Sequence, residues 1–175
     1  MILNQTFLLL FALVGPSLAG GLTQIKEDFS EDPGWEGFQN RKRCVDCPEV
    51  IQDFGWSQTD FTQTGGGGEI GGRVQDSFQP AYYAMPMGKP LSFKDSFSAS
   101  GKLAIKHIGQ RGVAYIGFFN PEYHTWRVWS SMAFRIWEEA KVGQIMFDWM
   151  AGDWQAMGVE TAILLPPDGE VHTWS

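Results

Sequence analysis

"SSMAFRIWEEAKVGQIMFDWM", residues 130–150, alternates side-chain character on both sides of a polar break. In an extended chain successive side chains point to opposite faces. Residues 130–137 then place Met132, Phe134 and Ile136 on one face, with Ala133, Arg135 and Trp137 on the other. Residues 144–150 place Ile145, Phe147 and Trp149 together, with Met146, Asp148 and Met150 opposite. Glu138 to Lys141 make a polar hairpin connection, and a cross-strand pairing of Arg135 with Asp148 is the structural role open to those charges. Composition would also allow a helix over residues 132–140, but the alternation and the Gly143 break favour two strands.

The same pattern extends outward. "GVAYIGFFN" (112–120) is apolar on both phases, as a central strand buried on two sides would be. "LSFKDSFSASGKLAIKHI" (91–108) alternates in two pieces around Ser100-Gly101. "LTQIKEDFSEDPGW" (22–35) reads as a short strand and an Asp-Pro-Gly turn. In "RVQDSFQPAYYAMPM" (73–87) an extended chain sends Tyr82 and Tyr83 to opposite faces. "QTGGGGEIGG" (63–72) reads as a flexible connection. "PPDGEVHTWS" (166–175) is a turn followed by the start of a strand with nothing after it to pair with, which suggests a chain truncated at its C-terminus. With 21 Gly, 9 Pro, 8 Trp, 4 Tyr and 13 Phe in 175 residues, the expectation is six to nine short antiparallel strands in an all-β, two-sheet sandwich.

Residues 1–19, "MILNQTFLLLFALVGPSLA", have the apolar run and small-x-small site of a secretory leader, though no Lys or Arg precedes the run. The run is shorter than the roughly 20 apolar residues a membrane-spanning helix needs. One β-sandwich domain over residues 20–175, secreted or held in the periplasm or at the cell surface and not membrane-spanning, is the expected organisation. A formal charge of -7 with no basic run longer than Arg41-Lys42-Arg43 argues against nucleic acid as a partner.

"FSEDPGWEGFQNR", "QDFGWS", "GEIGG", "PAYYA", "SASGKL", "IGFFN", "WRVWSS" and "VHTW" occur in order over residues 28–175. In these the chain resembles a family of secreted bacterial proteins that is itself similar to the concanavalin A-like, laminin-G-like β-sandwich superfamily. The resemblance implies a curved jelly-roll sandwich and contact with carbohydrate; it implies no particular activity. It also implies further strands beyond residue 175. Cys44-x-x-Cys47 is not part of the likeness.

Export favours oxidation, so Cys44 and Cys47 read first as a small-loop disulfide. A zinc site would need two more ligands, and His107, His124 and His172 do not have zinc-ligand spacing. Gly66, Gly68 and Gly71 match G-x-G-x-x-G, but no strand-then-helix context surrounds them. A glycosidase needs two carboxylates facing across a sugar. Asp148 and Asp153 fall on opposite phases of a strand, so catalysis would require loops to bring together Glu69, Asp53 or Asp148. Asp28, Glu31, Asp32 and Asp53 are near enough in sequence to suggest calcium, with a solvated acidic loop as the simpler reading and no cofactor otherwise indicated.

Binding of an extracellular polysaccharide or glycoconjugate without catalysis is the reading these residue types favour. Aromatic faces stack under sugar C–H groups, while planar polar side chains bond hydroxyls. Trp35, Trp56 and Trp126 would stack; Asn40, Arg41, Gln52, Asp53 and Arg127 would bond. The alternatives are a glycan-cleaving enzyme and a structural cell-surface module with no small ligand.

Overall fold

The computed structural model describes residues 8–12, 23–42, 52–75, 79–92, 94–108, 113–122, 130–139, 142–150 and 156–175. Cys44, Cys47, Trp126, Arg127, His124 and Asp153, together with most of the leader, lie outside them. Among the described residues the protein is all-β, with antiparallel strands and no helix. No helix there is long and apolar enough to cross a membrane.

The strands are β1 (Leu8–Ala12), β2 (Thr23–Lys26), β3 (Glu36–Phe38), β4 (Asp53–Ser57), β5 (Glu69–Arg73), β6 (Tyr82–Ala84) and β7 (Ser96–Ser98). They continue with β8 (Gly101–Ala104), β9 (Val113–Phe118), β10 (Ser131–Glu139), β11 (Val142–Met150), β12 (Ala156–Leu165) and β13 (Val171–Trp174). These are more and shorter strands than expected, because glycine and proline cut the first hundred residues into pieces of three to five. β1 falls within the segment that reads as a leader and pairs with β2 and β7.

The largest sheet has the order β12-β11-β10-β9. Its β10–β11 hairpin follows the alternation of residues 130–150, with Phe134 opposite Phe147 and Ile136 opposite Ile145. β9 is an edge strand of this sheet rather than a central one, and Val113 at its start is exposed. Its two apolar phases arise because Tyr115 sits on the face shared with Arg135, whereas Ala114 and Ile116 face the core.

That core joins Ile116, Ile136, Ile145 and Leu165 of the sheet to Leu103 and Ile105, with Ile108, Phe134 and Trp174 packed around them. Full burial of such a side chain contributes roughly 1.5–3 kcal/mol, so this cluster is the main apolar anchor of the C-terminal half. β13 does have a partner: Val171–Trp174 pairs with Gly101–Ala104 of β8. Trp174 lies across Gly101, where a Cβ would be only 3.0 Å from the indole.

Besides the three-stranded sheet β2-β1-β7, the N-terminal half contains two ribbons, β3–β6 and β4–β5. Between them the glycine-rich run is packed against backbone. A Cβ on Gly66 would meet the Asp28 carbonyl oxygen at 2.6 Å, and one on Gly68 would overlap the Phe29 carbonyl oxygen. Close backbone approach, and no phosphate cradle, accounts for these glycines.

Gly68→Ala should therefore lower stability by about 1–3 kcal/mol, since the obstacle is main chain that cannot rotate away. Gly88, where a Cβ would meet nothing within 4 Å, should accept alanine with no loss. Denaturant melts of the two variants check this: equal losses would contradict it.

Candidate functional site

Phe29 organises the residues singled out between 34 and 61. It is fully buried and has φ 58°, a left-handed conformation that a bulky residue rarely adopts. Its N–H donates to Glu27 Oε1 at 3.0 Å, and its carbonyl accepts from Trp56 Nε1 at 2.9 Å. Gly68 supplies the space for that second bond, since its absent Cβ would sit 2.8 Å from Trp56 Nε1. The Phe29 ring meets Trp35 edge-on at 5.4 Å, and Trp35 stacks on Tyr83 at 5.9 Å. Trp56 is thus held by its indole N–H, while Trp35 and Tyr83 form a partly exposed aromatic pair.

Asn40 and Gln52 are buried and bonded to main chain. Asn40 Nδ2 donates to the Phe54 carbonyl at 2.6 Å, and Phe54 N–H donates to the Asn40 carbonyl at 2.9 Å. Gln52 clamps Gln75 from both sides, donating to its carbonyl at 2.9 Å and accepting from its N–H at 3.2 Å. Gln52 N–H also reaches the Lys42 carbonyl at 3.4 Å. These bonds close the base of the segment that carries Cys44 and Cys47.

Arg41 and Asp53 lie on the outer side of this base. Arg41 Nη1 and Asp53 Oδ1 are 2.5 Å apart, and Arg41 Nη2 donates to the Trp56 carbonyl at 2.9 Å. The two side chains remain 49% and 35% exposed, so the pair contributes little to stability, on the order of 1 kcal/mol or less. Its solvent-facing edge is available to a ligand. Gly55 lies beneath, with its Cβ direction bounded by Asn40, Tyr83 and Arg41 at 3.0–3.5 Å. The structure therefore brings Trp35, Tyr83, Arg41 and Asp53 to one rim around Gly55.

Tyr83 was legible only as one of two tyrosines on opposite faces, and the structure bears that out. Tyr82 donates to Glu36 Oε1 at 2.8 Å and stacks on Phe38, whereas Tyr83 donates to Asp32 Oδ1 at 3.0 Å. Its role at the rim had no signal in the sequence, because it depends on which ribbon covers Gly55.

The carboxylates considered for catalysis or calcium are dispersed. Asp28 accepts from Ser30 N–H at 3.0 Å, which holds its carboxyl below the ordinary value. Asp32 accepts from Gly34 N–H as well as from Tyr83. Glu69 is fully buried, accepting from the Thr59 hydroxyl and from Phe61 N–H at 2.9 Å. Asp148 lies 3.1 Å from Arg135 Nε, the cross-strand partner expected for it. Among the described residues no group of three or more His, Cys, Asp or Glu side chains is placed to hold a metal ion. Comparison with protein-family models, with curated proteins and with solved structures finds no match for this chain.

Burial raises the Tyr83 phenol to about 12, the Asp32 bond and charge adding to the effect. The folded state thus keeps this proton above the pH at which the unfolded chain, near 10, has lost it. Stability associated with Tyr83 should be full below pH 10 and fall between about 10 and 12. Phenolate absorbance at 295 nm should show a late-titrating tyrosine that Tyr83→Phe removes and Asp32→Asn moves partway back. A late step unchanged in Tyr83→Phe would contradict the assignment.

Proposed function

We propose that this chain is a secreted, non-catalytic carbohydrate-binding module, a jelly-roll sandwich of the concanavalin A-like, laminin-G-like kind, exported by the leader at residues 1–19. The rim around Gly55 carries the reading: a partly exposed Trp35–Tyr83 pair beside a half-exposed Arg41–Asp53 pair. Aromatic surface next to a guanidinium and a carboxylate suits a polysaccharide, whose rings offer apolar C–H faces and whose hydroxyls both donate and accept. A net charge of -7 favours neutral glycans over strongly acidic ones. Trp126 and Arg127 complete the proposed set, and Cys44 and Cys47 would form a small-loop disulfide.

A second reading is favoured by β12. This edge strand leaves Met157, Val159, Ile163 and Leu164 each more than half exposed, with Glu160 its one charge. An unpaired apolar edge suits a structural cell-surface module that associates through strand addition.

Affinity electrophoresis on a panel of soluble polysaccharides separates the two readings. The first predicts retardation by at least one polysaccharide, with affinity falling about tenfold or more in both Trp35→Ala and Arg41→Ala, a loss of roughly 1.4 kcal/mol. No retardation by any polysaccharide, with mass rising with protein concentration in sedimentation, would favour the structural module instead.

A further inference from the structure

β1 comes from the segment that reads as a leader, and it is the middle strand of its sheet. It runs antiparallel to both neighbours, with Leu9 opposite Ile25, Leu10 opposite Gln24 and Ser98, and Phe11 opposite Phe97. Among the described residues β2 and β7 have no other strand partner. Removal of residues 1–19 on export would therefore leave two strand edges facing each other across roughly 9–10 Å, two strand spacings. Each edge would be a row of unpaired N–H and C=O groups.

Both walls of that gap are fixed from outside the sheet. The Phe97 ring meets Phe118 of β9 edge-on at 4.8 Å, and β7 leads directly into β8, which pairs with β13. β2 is followed by the fully buried Phe29. The walls also carry a pattern that the leader does not match. Residues opposite one another share a face, so Ile25 and Phe97 line one face of the gap. Gln24, Lys26, Ser96 and Ser98, all exposed, line the other. The sequence of β1, Leu-Leu-Leu-Phe-Ala, is apolar at every position, so Leu8, Leu10 and Ala12 are in register with polar neighbours.

We propose that, once the leader is removed, the gap between β2 and β7 is an acceptor slot for an extended strand of a partner protein, which completes the sheet by strand addition. The slot specifies its occupant: a segment the length of β1, antiparallel to both walls, with apolar side chains at its second and fourth positions against Ile25 and Phe97. Small polar side chains at the third and fifth positions meet Gln24, Ser96 and Ser98. A carboxylate at the first position, where Leu8 stands opposite Lys26, complements that charge. Main-chain bonds to both edges supply affinity, and the alternate side chains supply specificity. β12 of a second copy is not that strand, because β11 already holds one of its edges and the slot needs both. The proposal rests on the reading of residues 1–19 as an export leader and is independent of glycan binding.

The test compares the uncleaved chain, made without membranes, with the protein exported from a bacterial host, by hydrogen exchange at residues 23–26 and 96–98 and by near-UV circular dichroism melts. The probe is the peptide Gly-Glu-Leu-Thr-Phe-Ser-Gly, and two controls carry proline in place of its threonine or lysine in place of its glutamate. Expected is an exported protein whose mass lacks residues 1–19 and whose wall amides exchange about tenfold faster than in the uncleaved chain. The matched peptide at saturation restores that protection and raises the melt, or makes it cooperative where the leader-free chain alone melts without cooperativity. The proline peptide does neither, and the lysine peptide binds more weakly than the matched one. Equal exchange in the two forms, or a matched peptide no better than either control, overturns the slot while leaving export intact. An exported protein that keeps residues 1–19 overturns the leader reading and the slot with it.

Discussion

The N-terminal half depends on Phe29. A buried phenylalanine with φ 58° costs of order 1–3 kcal/mol in backbone strain, and the surroundings must over-determine it. They do so by enclosing the ring fully, bonding its N–H to Glu27, capping its carbonyl with the Trp56 indole and leaving Gly68 bare. Burying the ring contributes about 1.5–3 kcal/mol, enough to offset the strain. Through Phe29 the turn at residues 28–35 is joined to β4 and β5, and Trp35 is set against Tyr83. A rigid aromatic pair at the rim follows from a backbone conformation earlier in the chain.

This explains how the polar residues divide. Asn, Gln and Arg look alike as potential ligand groups in a sequence, yet Asn40 and Gln52 point inward to main chain and Arg41 points outward. An amide that satisfies a buried carbonyl avoids the cost of leaving it unpaired, and short loops between ribbons have many such carbonyls. Nothing in the order of residues 40–53 separates the two uses. They depend on the β4–β5 pairing and on the chain returning at Gln52 to where it left at Lys42.

The C-terminal half was far more legible. Alternation over residues 130–150 assigns every described side chain of the β10–β11 hairpin to its face, and it predicts the Arg135–Asp148 partnership. The position of β9 at an edge was not legible, because Tyr115 on the polar face makes the strand look apolar throughout. The irregularity between Gln144 and Met146, where β12 carries extra residues, decides that Gly158 and not a larger neighbour lies beside Asp148.

The rim around Gly55 draws on one chemistry, in which aromatic rings and charged planar groups meet sugar hydroxyls. The measurement that addresses this most directly is a near-UV circular dichroism melt, alone and with each of a panel of soluble polysaccharides. The eight tryptophans report tertiary packing. A glycan that binds only the folded state should raise the midpoint of a cooperative melt, by the equivalent of roughly 2.7 kcal/mol at 100 times its dissociation constant. A cooperative melt that no polysaccharide moves would contradict the account and leave the β12 edge as the surface through which this protein acts.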